Sequence, residues 1–244
     1  MSDALAALAK MEYPGRFIIL GHDQSGARNV AVYGITGRSL SSRARKLELR
    51  AEAIWTVPTD EDTLKKGHPE LLIYPAVIIS GGIAVSNGKQ TADIKENMRG
   101  MNKPALVLDH ALAKWDYEPD PPIYTPRISG CVLPGYGAAL GIIVRGNDGS
   151  SKKNTSEVPL IPGRGKLIAT YGGENKDPVP SFRTAPLDIE IREKTAKDMA
   201  EAVFAALEPR TGKKDFRVAV ASVFLDDLGP HSSEFFIINR VERM

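Results

Sequence analysis

The sequence predicts an α+β protein of mostly antiparallel sheets covered on their outer faces by helices, with the four-layer α/β/β/α sandwich as one such solution. Three observations predict it. Short β-forming runs recur along the chain and follow one another too closely for the crossover helices of a parallel βαβ fold. Helical periodicity is confined to two places, near 94–115 and 189–207. Hydrophobic residues make up 42% and charged residues 25% of the chain, enough to bury a large core without a bias toward disorder. The 244 residues sit just above the usual size of one domain, so a single domain over 1–244 is expected.

The elements follow in order. Residues 1–12 read as an N-terminal extension whose leucines and alanines suit a short helix. Runs 16–20 and 30–35 flank a segment rich in Gly, Asp and Asn and form a hairpin. A polar, arginine-rich loop spans 36–45. Alternation of Leu47, Leu49, Ala51, Ala53, Trp55 and Val57 predicts one half-buried strand over 47–57, and 58–69 is a charged connection. Residues 71–79 and 83–85 predict a strand pair broken at Gly81 and Gly82. Ile94, Met98 and Met101, then Leu106, Leu108, Leu112 and Trp115, fit two helices split near 102–104. A proline-rich loop covers 116–126, and strands resume at 127–133 and 138–144. The polar, glycine-rich stretch 146–165, with Lys152 and Lys153 inside, reads as a surface insertion. A strand at 166–171 and a loop at 172–186 precede the strongest helical pattern, 189–207, with Ile191, Met199 and Val203 near one face. Strands at 216–225 and 235–238 close the chain.

Composition excludes several classes of function. A net charge of +2 gives no global field to recruit nucleic acid or a membrane, so any basic site is local. No apolar run approaches the ~18 residues of a membrane span. The N-terminus lacks the basic start and apolar stretch of a secretory signal. The single cysteine, Cys131, excludes an internal disulfide and argues for a reducing compartment, so the cytoplasm is expected. His22, His68, His110 and His231 form no ligand pair at helical or hairpin spacing, so no metal is expected. Cys131 lies in an apolar strand and reads as core. Ser2 could become an N-terminal nucleophile after loss of Met1, but a helix separates it from the first strand. Gly21 and Gly26 have P-loop spacing, yet Ala27 and Arg28 stand where lysine and a hydroxyl residue belong, which leaves a hairpin turn.

Three constellations carry chemistry. Gly37 to Arg45 holds Arg38, Arg43, Arg45 and Ser39, Ser41, Ser42 in one turn-rich loop; guanidinium forks and serine hydroxyls bind phosphate oxygens, although a solvated basic loop has the same composition. Ser86-Asn87-Gly88-Lys89-Gln90-Thr91 leaves a strand and opens a helix, as an anion-binding corner or a simple turn and cap. Asp116-Tyr117-Glu118 and Tyr124-Thr125-Pro126-Arg127-Ile128 set acids, phenols and an arginine around a proline loop, where an ion pair is the structural alternative. The spacing alone supports a small anionic ligand.

In this order the segments Gly15-Arg16-Phe17, Val32-Tyr33, Gly37-Arg38-Ser39 with Arg43, Ser86-Asn87-Gly88 with Gln90-Thr91, Asp116-Tyr117-Glu118 and Thr125-Pro126-Arg127-Ile128 resemble the archaeal-type IMP cyclohydrolase family, mainly over residues 13–131. The resemblance implies a fold like that of the N-terminal-nucleophile hydrolases without their nucleophile. It implies ring closure of formamidoimidazole carboxamide ribonucleotide to IMP with loss of water, and no metal or redox cofactor. Arg43, Tyr74 and Glu118 fall at the family's catalytic positions; Arg38, Ser39, Asn87 and Arg127 are expected to contact phosphate, ribose and base. The expected partner is a small purine nucleotide, with no nucleic acid or membrane, and a homo-oligomer is expected. Two other functions fit: a non-catalytic purine-nucleotide-binding or regulatory protein of the same fold, and an amide hydrolase of related fold using Ser2 or Cys131.

Overall fold

Residues buried on both faces of a strand require a covering layer above and below it, and the first hairpin has that character. In the computed structural model, which describes residues 3–227 and 232–243, β1 (Arg16–His22) is buried along its whole length and pairs antiparallel with the nearly buried β2 (Arg28–Thr36). A 3-10 turn (Asp3–Leu5) and α1 (Ala6–Ala9) precede the hairpin. After it come α2 (Leu40–Arg43), β3 (Arg45–Arg50), β4 (Ala53–Pro58), α3 (Glu61–Lys65), α4 (Pro69–Leu72), β5 (Pro75–Ile79) and β6 (Ile83–Ser86). Then follow α5 (Gln90–Asn97), α6 (Pro104–Leu112), β7 (Arg127–Leu133), β8 (Gly137–Arg145), β9 (Ser151–Val158), β10 (Arg164–Ala169) and β11 (Leu187–Glu190). The helix α7 (Ala196–Ala206) and strands β12 (Arg217–Asp226) and β13 (Ser233–Asn239) complete the fold.

The strands make two sheets, a six-stranded one in the order β11-β10-β1-β2-β12-β13 and a seven-stranded one in the order β3-β4-β5-β6-β7-β8-β9. Among the described residues every strand pairing is antiparallel. The sheets face each other through β1 against β7 and β8 and through β12 against β3, while α7 packs on β12 and β13, and α5 and α6 pack on the other sheet. The protein is thus α+β with two mostly antiparallel sheets and few helices, an arrangement consistent with a sandwich.

Strand alternation sorts the layers. On β7, Ile128 and Val132 join the core shared by the sheets, whereas Cys131 and Leu133 turn to Ile94, Met98, Val107 and Leu108 of the helical layer. Between them Gly130 leaves room for β1: a Cβ there would lie 2.9 Å from Leu20 Cδ1 and 2.8 Å from Val85 Cγ1.

Several boundaries differ from the sequence expectation. The alternation over 47–57 belongs to two strands, β3 and β4, joined at Ala51, which takes a φ of +52°; the period of two persists on either side of the turn and hides it. Leu71 and Leu72 form the end of α4, opened by Pro69, and the strand begins only at Pro75. The helix expected over 189–207 starts at Ala196, where the Thr195 side chain accepts from the Asp198 amide; Ile189 instead pairs with Gly165 in β11. Within 146–165, residues of β9 form the edge strand of the seven-stranded sheet, polar because its outer edge meets solvent. There Lys153 donates to the carbonyls of Leu112 and Ala113 at 2.9 and 2.6 Å, satisfying the C-terminus of α6. The 36–45 loop contains α2, capped by Ser39. Ser2 and His231 lie outside the described residues.

Gly34 supplies a test of the packing. It sits opposite Phe17, and a Cβ there would lie 2.0 Å from Phe17 Cζ. Gly34→Ala must displace a fully buried ring, so we expect a loss of ~1–3 kcal/mol, read as a fall of several degrees in the thermal midpoint. An unchanged midpoint would place the Phe17 ring elsewhere.

Candidate active site

Antiparallel pairing brings the start of β1, the end of β2 and the end of β10 together, and likewise the end of β6 and the start of β7. Each sheet delivers polar residues from these ends. Arg16, at the head of β1, donates from Nη2 to Glu118 Oε1 at 2.7 Å. Asn87, directly after β6, donates from Nδ2 to the same oxygen at 3.1 Å and to Pro126 O at 2.9 Å. Its Oδ1 accepts from the Ile128 amide at 2.8 Å and from Gln90 Nε2 at 3.3 Å, which fixes the amide with its donor toward Glu118.

The loop that carries Glu118 is itself tied down. The Glu118 amide donates to Thr125 O at 2.9 Å, and Asp120 accepts from the Thr125 amide and hydroxyl at 2.7 and 2.5 Å. The Thr125 hydroxyl lies 2.9 Å from that of Tyr171, whose ring stacks on Tyr13 with centroids 5.4 Å apart. Arg127 is held by its Nε donating to Asp116 O at 2.7 Å, by Gln90, and by the Trp115 ring 4.8 Å below its guanidinium. Tyr74, just before β5, places its hydroxyl 2.7 Å from that of Tyr33 on β2, both phenols being fully buried.

Above the Arg16–Glu118 pair the surface opens into a cleft. Tyr13, Tyr171 and Asp120 form one wall, and Arg38, Ser39, Ser41 and Ser42 line the rim. Arg38 donates to Lys176 O at 2.8 Å and approaches Asp177 at 3.5 Å. Ser39 spends its hydroxyl oxygen as the cap of α2, accepting from the Ser42 amide at 3.1 Å.

A family model described as IMP cyclohydrolase-like protein matches residues 13–227. The chain belongs to the IMP cyclohydrolase-like family. The match runs well past residue 131, where the likeness read from the sequence fades. No curated protein matches the chain. Membership of the IMP cyclohydrolase-like family supports a cyclohydrolase-type function, and the charges around the cleft can be weighed against that chemistry.

Burial pushes the Glu118 carboxyl above the ordinary glutamate value, and the cations Arg16 and Arg127 only partly offset it. Burial opposes the charge of Arg16 as well, yet Glu118 and the phenols of Tyr74, Tyr171 and Tyr33 hold its pKa well above the usual arginine value. Burial raises Tyr33 too, against the lowering influence of Arg16 and Arg45. Arg45, at the head of β3, is 1% exposed; Nε donates to Ser42 O at 3.0 Å, while neither Nη has a partner among the described residues. A buried guanidinium with two unspent donors, close enough to act on Tyr13 and Tyr33, is an anion-seeking group.

Of the residues expected from the sequence, Tyr74, Asn87, Glu118 and Arg127 therefore surround Arg16, and Arg38 and Ser39 stand at the rim. Asn87 and Arg127 orient the acid-bearing loop. Arg43 ends α2 exposed and makes no ion pair among the described residues; like the buried Tyr74, Asn87, Arg127 and Arg45, it does not itself line the cleft. The sequence reading named Arg45 only as one arginine of the anion-binding loop and Tyr33 only within a matching motif, and it gave no site role to Asp120 or Tyr171. The sharper signals were a charged residue heading an alternating run, for Arg45, and a tyrosine amid an apolar strand, for Tyr33. Cys131 is buried under the helical layer and its thiol is pushed up to about 12, so it is no nucleophile at neutral pH. Among the described residues no group of three or more His, Cys, Asp or Glu is placed to hold a metal ion, and no helix is long and apolar enough to cross a membrane.

Arg16→Ala would leave the Glu118 carboxylate buried beside a single amide donor. We expect a loss of ~3–5 kcal/mol in urea unfolding, the cost of breaking a buried pair. A loss below ~1 kcal/mol, typical of exposed pairs, would show that water reaches it.

Proposed function

We propose that the protein is an IMP cyclohydrolase that closes the ring of formamidoimidazole carboxamide ribonucleotide to give IMP and water in purine synthesis, without a cofactor. The observation that carries this reading is the buried Glu118 carboxyl, raised in pKa yet gripped by Arg16 and Asn87, at the floor of an arginine- and serine-rimmed cleft. On this reading the fold is N-terminal-nucleophile-hydrolase-like, in a single domain over 1–244. The enzyme works as a cytoplasmic homo-oligomer on a small purine nucleotide.

The reaction needs three things. The carboxamide nitrogen is a poor nucleophile and must be held ~3–3.5 Å from the formyl carbon. As the nitrogen–carbon bond forms, the formyl C=O electron pair moves to oxygen, which needs aimed donors. The carbinolamine then loses its hydroxyl as water, which needs a proton returned. Glu118 takes a proton from the attacking carboxamide nitrogen and returns it to the formyl oxyanion, which becomes the carbinolamine hydroxyl. It then takes the proton of the former formamide N–H, whose electron pair forms the new C=N bond, and delivers it to the hydroxyl that leaves as water, so the carboxylate is regenerated in each turnover. Tyr74, oriented by Tyr33, donates a hydrogen bond to the formyl oxygen. The unspent Nη donors of Arg45 suit an oxyanion-binding role, beside Arg43, which the resemblance sets at a catalytic position. Arg38 and Ser39 meet the phosphate, and Asn87 and Arg127 hold the acid and the base edge.

Incubation of the protein with the formamido nucleotide should produce IMP, followed by absorbance; no turnover at micromolar enzyme rejects the reading. A nucleotide-induced rise in melting temperature without turnover would mark a binding protein instead. Arg45→Ala and Arg43→Ala compare the two arginines: we expect ~10²-fold or more lost in kcat for the first, the scale of a missing oxyanion donor, and a smaller effect for the second. The reverse order would give the role to Arg43.

Glu118 can accept a proton only when ionised, so activity should rise with pH through its pKa. Since burial raises that pKa, the acidic limb of kcat/KM should lie above ~4.3, the ordinary glutamate value. Glu118→Gln should lose ~10²-fold or more. A limb at or below the ordinary value would show that another group sets it.

A further inference from the structure

We propose that a second groove, behind the wall formed by Tyr13 and Phe216, binds a phosphorylated small molecule with a flat apolar part, such as a nucleoside monophosphate. The groove is a cavity of about 330 Å³, within the lower range of ligand pockets at ~300–1,000 Å³. No residue lines both it and the cleft above Glu118. The two are separated by the Phe216 ring, set edge-on to Tyr13 with centroids 5.2 Å apart. The inference therefore stands independently of the ring-closure reading.

The acids Glu12, Glu174 and Glu208 also line the groove, Glu208 4.0 Å from Arg217, and the cations fall into two groups. Lys213 pairs with Glu12 at 3.3 Å, Lys176 pairs with Glu174, and Arg217 pairs with Asp215 at 2.9 Å, so these cations are spent on the fold. Lys10, Arg210 and Lys214 have no carboxylate partner among the described residues, although they reach the same groove from the end of α1 and from the segment between α7 and β12. Three unpaired cations around one cavity repel one another, and an anion seated among them removes that repulsion. Phosphate is the matching group, since guanidinium and ammonium donors bind its oxygens with charge-assisted hydrogen bonds.

The other lining is apolar. Met11, Leu207 and Phe216 form a floor of which Leu207 and Phe216 belong to the buried core. A free inorganic ion would leave that floor wet, whereas a base or similar flat group would cover it and gain from its burial. Cations at the lip and a hydrophobic floor fit the two ends of a nucleoside monophosphate.

The test is calorimetric titration of AMP into the full chain and into the variant Lys10→Ala/Arg210→Ala/Lys214→Ala. All three side chains are exposed, so the variant should keep the parent's circular dichroism and its basal activity. We expect the parent to bind AMP, the affinity to fall about tenfold or more in the variant, and binding to weaken as salt rises. The charge reversal Lys214→Glu should weaken AMP while leaving the fold intact. Equal AMP affinity in parent and variant, which would place the nucleotide in the cleft alone, or no AMP binding by the parent, overturns the proposal. Loss of ring closure with AMP binding retained would reject the proposed reaction and leave the groove standing.

Discussion

A carboxylate taken out of water must be matched by its surroundings or it costs several kcal/mol, and the matching of Glu118 organises this protein. Its two donors come from different sheets, Arg16 from the six-stranded one and Asn87 from the seven-stranded one. One acid thus ties the two sheets together at the end where they open. Asn87 in turn accepts from the Ile128 amide, so the strand that carries the core residue Ile128 also sets the direction of the amide that holds the acid. Packing and polar geometry are fixed by the same few positions.

The interior behind the cleft is polar in a way that packing alone does not explain. Tyr33 and Tyr74 are fully buried and joined by one hydroxyl–hydroxyl bond, in which one O–H donates and the other stays free to donate elsewhere, and the cations Arg16 and Arg45 lie within their field. A protein built for stability alone would fill this space with aliphatic side chains. The Nη donors of Arg45 have no partner among the described residues, so hydrogen bonding within the fold does not account for them. Rigid supports of this kind let donors act on developing charge without reorganising.

Much of this was legible in the sequence, and the failures have physical causes. The first hairpin was readable because apolar runs flank a segment of turn-forming residues, and α5 and α6 because their periodicity breaks at Pro104. The β3–β4 turn was hidden because no glycine marks it: Ala51 takes the left-handed conformation itself. The helix α7 was drawn too long because Ile189 and Ile191 fall in helical phase by coincidence; the Thr195 cap was the better signal. The two arginines of the loop were equally hard to tell apart. A loop rich in serine and arginine gave no reason to separate Arg43 from Arg45, yet α2 ends at the first and β3 begins at the second. Strand alternation then buries Arg45 and Leu47 while Arg43 faces solvent. Asn87, Arg127 and Tyr74 lie near Arg16 because each sits at or beside a strand end that antiparallel pairing brings together, and Glu118 because its loop is tied back to Thr125 just ahead of β7.

The proton affinity of Glu118 shows how the fold sets chemistry through competing forces. A neighbouring guanidinium at 2.7 Å would, on a wet surface, hold a carboxyl below its ordinary value. Here burial outweighs it, and the nearby charge of Asp120 adds to the upward push. Arg16 and Arg127 both pull the other way, but less strongly than burial pushes. The carboxyl is therefore fixed in position by its cation yet more ready to carry a proton than an exposed glutamate. Those two properties are usually in conflict, because the contact that orients an acid also strips its proton. Deep placement between two sheets, at the edge of a cleft, is what allows both.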